Sequence, residues 1–484
     1  MSDPLALLPM AAAAGGGRVN EFEAQQLVAA GLTLLQRCAP LVRALSGRRS
    51  AILLPTSPQF LVALAASDGR GAVLVNPLAS PMEVAMQCAA ANVGAVFTVA
   101  ALAAQVPEHL PRVLLDDAPR SARYLEGGAS RDVDLGSHHG LDIAGDPDTD
   151  GRDEEAVLVF TSGMAGRPLA AVLSHRNLLA NARSTREAAA YGTSDDVLAL
   201  LPFSHLFGLT VTGIAPLISG ARVTSMERFH PFKAAELLAE GRITAVIGVP
   251  AVFSALLQVL QRKGSGVGAL RLCICGGAPL DTALQERWAD LTGVELRQGY
   301  GLTEAAPVCL FNRVDRPNVR GTLGYPFPGV DVTVRAPISG TPGAHDASLT
   351  AECPAGTPGE ICVRGDNVFA GYLADGAVGL QVRDGWLYTG DQGVRNADGT
   401  VTFLGVLKPM FTRSGFNIYP EELRRAVLEL PGVQAVSVRA IPEPSREHDI
   451  GLDVRGTVTP EAVRAWCAHR LSAYKQPSEI FVSA

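Results

Sequence analysis

AVLVFTSGMAGRPLAAVLSH, residues 156–175, sets an apolar run against a glycine-bearing turn. Five apolar residues in a row, AVLVF (156–160), read as a strand buried on both faces of a covered sheet. Thr161, Ser162, Gly163 and Gly166 follow at once. A strand that opens into a Gly-rich loop can cradle a phosphate on backbone N–H groups. Pro168 turns the loop into the next segment, and Leu169 stands where a lysine would meet the phosphate. By itself the T-S-G-x-x-G run reads equally as a polar turn between strands.

The flanking sequence repeats the pattern. VLALLPF, ARVTS, TAVIGV and LRLCICGG are strand-like, and HRNLLANARSTREAAA, PFKAAELLAEG, PAVFSALLQVLQRK and PLDTALQERWADLTG between them are helix-like. Strand and helix in alternation imply parallel sheets covered by helices. The first 100 residues do the same, with SAILLP, a helix near 58–69, GAVLVNP, PMEVAMQCAAAN and AVFTV. After about residue 320 the segments shorten and Gly and Pro multiply, which reads as a turn-dense β region, with 336–358 as a long mobile loop. YPEELRRAVLELPGV, VQAVSVRAIP and PEAVRAWCAHRLSAYKQP suggest a small α+β unit at the end. The expected fold is α/β: a large N-terminal domain of helix-covered sheets with a β-rich subdomain (1–404) and a small C-terminal domain (405–484).

The chain of 484 residues is too long for one ordinary core. Its net charge of −7 argues against nucleic acid as a partner, because phosphate neutralisation needs a basic face. No apolar run is long and clean enough to cross a bilayer. The N-terminal MSDPLALLPMAAAAGGGR lacks the positive start of a signal peptide and reads as a frayed tail. Eight scattered cysteines with no C-x2-C pair fit a reducing cytoplasm, and Cys273 and Cys275 fit simple packing.

Four further segments carry chemistry. YGLTE (300–304) offers an aromatic face on Tyr300, a hydroxyl on Thr303 and a carboxylate on Glu304, with Gly301 between them. These can stack on a base, touch a phosphate and hold Mg²⁺. CGGAPL (275–280) brings Gly276, Gly277, Ala278 and Pro279 to a strand end, where backbone can approach a flat ligand. LYTGD (387–391) puts Asp391 on a tight turn, able to bind the two hydroxyls of a ribose. LPFSHLFGL (201–209) places His205 at a strand end. Tyr300 and His205 also fit ordinary core positions, and Asp391 a turn former.

In this order the segments resemble the adenylate-forming superfamily of acyl-CoA synthetases, peptide-synthetase adenylation domains and luciferases. The match runs from about residue 20 to the end and includes GEICVRG (359–365) and SGFNIYPEEL (414–423); fatty-acyl-CoA synthetases are most similar. The resemblance implies that a carboxylic acid attacks the α-phosphate of ATP, giving an acyl-adenylate and pyrophosphate. A thiol of coenzyme A or a carrier protein then displaces AMP after the C-terminal domain swings. It gives Glu304 to Mg²⁺, Thr303 to phosphate, Tyr300 and Gly276–Pro279 to adenine, Asp391 to ribose and His205 to the carboxylate. Ser414, Gly415 and Phe416 would face the thiol. Where the superfamily carries hydroxyls, Pro-Lys-Gly and a hinge Gly-Arg-x-Lys-Asp, this chain has Met164, Ala165, Leu169, Ala170, Val406 and Pro409. It ends at Ala484, before the position of the C-terminal catalytic lysine, and Lys475 belongs to the YKxP segment instead. The departures fall on phosphate handling and domain movement. Three readings therefore stand: an ATP-dependent ligase, a thioester-forming half-enzyme, and a non-catalytic nucleotide or acyl binder.

Overall fold

The computed structural model describes all residues except 1–6, 68–70, 118, 137–145, 147–152, 163–167, 265, 337–350, 374–380, 408–409, 444 and 484. Every residue of Leu272–Cys275, Ala245–Gly248 and Asp196–Ala199 is buried. Such strands need cover on both faces, and they pair in parallel, with Val197 opposite Ala245 and Ala245 opposite Leu272. Among the described residues this sheet has nine strands, and Leu296–Gly301 and Val308–Phe311 extend it. A second nine-stranded sheet holds Arg49–Leu53, Ala72–Leu74, Val93–Thr98, Glu155–Ser162 and Pro168–Ser174. One apolar core joins the two sheets.

The helices between strands start and stop where local chemistry dictates. Pro250–Lys263 has proline in its first turn, and Gly264 ends it with φ +62°. The Asp281 side chain accepts from the Ala283 N–H and opens Thr282–Thr292. Phe253 and Trp288, one from each helix, meet edge-on at 5.0 Å and are fully buried. Burial of this kind contributes roughly 1.5–3 kcal/mol per side chain.

The N-terminus departs from expectation. Leu7–Ala14 is a helix rather than a frayed tail, with Leu8, Met10, Ala11, Ala12 and Ala13 buried. An apolar helix has no polar face to leave outside, so it packs among other helices. The Leu8 N–H donates to Nδ1 of His175 at 3.1 Å.

The β-rich region is antiparallel, with Val330–Arg335, Pro358–Gly365, Trp386–Arg395 and Val401–Val406 in one sheet. Most of the expected long loop lies outside the described residues; Glu352 already bridges Arg335. The C-terminal unit has its own core around Ile418, Leu423, Ile450, Leu452 and Val463. It is built on a three-stranded sheet, Val433–Glu443, Glu447–Gly456 and Glu479–Ser483, with two helices, Pro420–Leu428 and Pro460–Arg470. All eight cysteines are buried and free, as packing residues are.

Candidate active site

A cavity of about 690 Å³ lies where the strands of the first sheet end and the C-terminal unit meets them. Open parallel sheets bind ligands at such strand ends. Gly276, Gly277, Ala278 and Pro279 line it just past Leu272–Cys275. The Gly276 N–H is held by the Gly248 carbonyl at 3.1 Å.

Strand Leu296–Gly301 supplies the next wall. Strand alternation puts Gln298 and Tyr300 on one face. The Tyr300 hydroxyl donates to Oδ2 of Asp391 at 2.7 Å. Burial, then the Asp391 charge, hold this phenol well above its ordinary pKa, so it stays the donor. Asp391 is not on a tight turn as expected. It sits inside the ten-residue strand Trp386–Arg395, because pairing with Val401–Val406 reaches it, Asp391 lying opposite Val406. Beyond Tyr300 only glycine fits: a Cβ on Gly301 would stand 2.0 Å from the Pro307 carbonyl oxygen.

Thr303 and Glu304 open a short 3₁₀ turn on the cavity wall. Glu304 is 6% exposed, and the Tyr372 hydroxyl donates to its Oε1 at 2.7 Å. Among the described residues Oε2 has no protein donor, which suits a hard cation. No group of three or more His, Cys, Asp or Glu gathers as a metal cage among the described residues.

His205 also lines the cavity, but not from a strand end. Asp196–Ala199 stops earlier, and His205 precedes a π-helical segment, Phe207–Ile214. Its Nδ1 accepts from the Phe207 N–H at 3.3 Å, which leaves Nε2 as the protonated nitrogen of the neutral ring. Enclosure by protein lowers its pKa below 6.5. Phe207, Val211, Ile274, Phe311 and Phe327 make the lining apolar on this side.

The Gly-rich loop joins two antiparallel strands, with Thr161 opposite Leu169. Among the described residues the element that follows it is the strand Pro168–Ser174, not a helix. Thr161 and Pro168 line the cavity, and the Thr161 hydroxyl reaches the Leu169 carbonyl at 3.4 Å. Gly163, Met164, Ala165, Gly166 and the side chain of Ser162 lie outside the described residues, as does Pro409.

From the C-terminal unit comes the hairpin Phe411–Arg413/Phe416–Ile418. Its turn residues Ser414 and Gly415 have φ +52° and +78°, the tight-turn pattern of two-residue hairpins. Gly415 presses on the first domain, where a Cβ would stand 2.6 Å from Val249 Cγ1. Gly415 and Phe416 line the cavity; Ser414 is exposed and does not.

Sequence reasoning missed several wall residues. Gln298 is 6% exposed, and its amide has no protein partner among the described residues. Its place two residues before Tyr300 was the available signal. Tyr372 and the pair Glu83 and Lys475 carried none, since their partners are remote in sequence. Burial alone would lower the Lys475 ammonium; Tyr474, Glu422 and Glu83 outweigh it and raise its pKa.

Residues 39–373 match the family model described as AMP-binding enzyme. The chain belongs to this family. It is 32% identical over 445 residues to a feruloyl-CoA synthase of an Amycolatopsis species, covering 90% of this chain and 84% of that protein. It is 33% identical over 336 residues to a long-chain-fatty-acid–CoA ligase of Escherichia coli, covering 67% of this chain and 57% of that protein. A malonyl-CoA ligase solved with methylmalonyl-CoA and AMP superposes with TM-score 0.76 at 26% identity, covering 97% and 95% of the two chains. Thus the fold is that of adenylate-forming enzymes, and the ligases of this family use a carboxylic acid, ATP and coenzyme A. No helix among the described residues is long and apolar enough to cross a membrane.

Proposed function

We propose that the protein is an ATP-dependent ligase that activates a lipophilic carboxylic acid as its adenylate and passes it to coenzyme A or a carrier-protein thiol. One observation carries this reading. A single cavity runs from Asp391 and Tyr300, past Glu304 and His205, to an apolar wall at Phe207, Phe311 and Phe327. A nucleotide and an apolar acid can therefore meet in it.

In this reading Asp391 accepts from the ribose hydroxyls. Tyr300 and Gly276–Pro279 hold adenine, and the Gln298 amide adds a polar contact near it. Thr161 and Thr303 face the phosphates, and the family resemblance assigns the same role to Ser162, Gly163 and Gly166. Glu304 would hold Mg²⁺, which would neutralise phosphate charge when bound. An acid oxygen bonds to the α-phosphorus as pyrophosphate leaves; His205, neutral and donating from Nε2, orients the carboxylate. A thiol sulfur then bonds to the acyl carbon as AMP leaves. Lys475 is the one Lys or Arg among the described residues lining the cavity, and two carboxylates already hold it. Among the described residues a second carboxylate on the acid would find no free cation on the apolar side, so monocarboxylic fatty or arylpropenoic acids suit it better than dicarboxylic ones.

The test is pyrophosphate release and thioester formation with Mg²⁺–ATP, coenzyme A and a panel of fatty, aromatic and dicarboxylic acids. Acid-dependent release with thioester product is expected. AMP binding with no release for any acid would overturn the full reaction. Leu169 and Val406, at positions where charge is expected, favour a second reading in that case: thioester formation from a preformed adenylate.

A further inference from the structure

The C-terminal unit is held on the first domain by a buried ion cluster on the cavity wall. Lys475 Nζ lies 3.1 Å from Glu83 Oε1 and 2.6 Å from Glu422 Oε1. The three side chains are 8–10% exposed. Glu83 comes from the helix Pro81–Ala90 of the first domain, and Glu422 from the C-terminal helix Pro420–Leu428. The Ser472 hydroxyl also donates to Glu83, and the Ser80 hydroxyl donates to the Arg470 carbonyl at 3.1 Å.

This cluster is wired to the hairpin that closes the cavity. Tyr474, next to Lys475, stacks on Phe416 at 4.4 Å with 21° between the rings. Arg413 Nη1 donates to the Tyr474 and Gln476 carbonyls at 3.1 and 2.7 Å. Phe416 follows Gly415, which abuts Val249 of the first domain. A chain of direct contacts thus runs from Glu83 to the hairpin tip.

Charge counting shows why the cluster can open. A buried ion pair stripped of one partner strands a charge, which is costly. Here two carboxylates share one ammonium. On undocking, Lys475 keeps Glu422, a neutral pair within one unit. Glu83 keeps the backbone N–H of Ser80, which it caps at 2.9 Å at its own helix N-terminus. Neither side is left with an uncompensated buried ion.

We infer that Glu83 is a positioning residue for thioester formation: through Lys475 it selects the arrangement in which the 411–418 hairpin seals the cavity, and it releases the C-terminal unit for the other half of the cycle. The inference rests on the ligase reading above. Its step is the one in which sulfur bonds to the acyl carbon and AMP departs.

The experiment compares the half-reactions in Glu83→Gln, which keeps the helix cap and side-chain size but loses the charge. Transfer from a synthetic acyl-adenylate to coenzyme A should fall about tenfold, equivalent to about 1.4 kcal/mol. Pyrophosphate release without coenzyme A should stay within about twofold, since that step needs no closed hairpin. Ser472→Ala, which removes only one bond to Glu83, should do the same more weakly. Dyes on Glu108→Cys and Arg455→Cys, both exposed positions against buried native cysteines, report the domain distance by energy transfer. Glu83→Gln should shift or broaden that distance. An equal fall in both half-reactions, or an unmoved distance with unchanged transfer, overturns the inference. A wild-type chain that transfers no adenylate at all sinks the ligase reading instead, and the distance still tests the docking.

Discussion

Asp391 and Thr161 face the same cavity, yet their surroundings differ. The side proposed for base and ribose is a set of polar groups on sheet strands: Tyr300 bonded to Asp391, and a buried Gln298 amide. The hairpin proposed for the phosphates brings Thr161, Pro168 and Leu169 among its described residues, with no charge among them. In the proposed reading, affinity for the nucleoside and chemistry on its phosphates would therefore be carried by separate structures. Each can be changed without the other.

The largest effect should come from Glu304→Gln. Loss of its charge at the phosphates should cut pyrophosphate release about 10²–10³-fold, the range for removing one transition-state stabiliser. Isothermal titration should find AMP affinity nearly unchanged; a parallel collapse of AMP binding would erase the comparison. Next in size is Asp391→Ala, which removes a charged acceptor worth about 1.5–3 kcal/mol. AMP should bind about 10–150-fold more weakly. Equal affinity would mean that the ribose lies elsewhere.

Leu169→Lys sharpens the contrast from the other side. A cation beside the phosphates should raise pyrophosphate release by about tenfold, within the range of one charged hydrogen bond, with AMP affinity the same. No gain would show that the hairpin does not reach the phosphates. The smallest effect is in pH. The lowered pKa of His205, which is solvent-exposed in the cavity but surrounded by protein, means that the unfolded chain takes up a proton near 6.5 while the native ring does not. Stability is therefore intact above 6.5 and falls as pH drops below it. His205→Asn should flatten that part of a melting-temperature profile; an identical slope would place the titration on other groups.

Much of the fold was legible in the chain. Runs such as LCIC and AVIG are apolar at every position, and a strand buried on both faces reads so directly. Helix ends at Gly264 and Gly293 were marked by glycine, which alone takes positive φ without strain. The segments around the cavity were legible because each is a short local run. The readings that failed depended on distant partners. Leu7–Ala14 looked like a tail because, of the helices that cover it, Gln59–Ala66, His175–Ala188 and Ala215–Ile218 lie far along the chain. Asp391 looked like a turn because Thr-Gly-Asp is turn-like until Val401–Val406 pairs beside it.

The sequence alone determined the order of strands and helices, the glycines at tight approaches and the local clusters of chemical groups, because these depend on neighbours within a few residues. The tertiary structure decided which clusters share one cavity, which carboxylate meets Tyr300, and that Lys475 lies between Glu83 and Glu422. Those contacts join residues up to 392 positions apart. No local pattern encodes such distances; they exist only once the cores have packed.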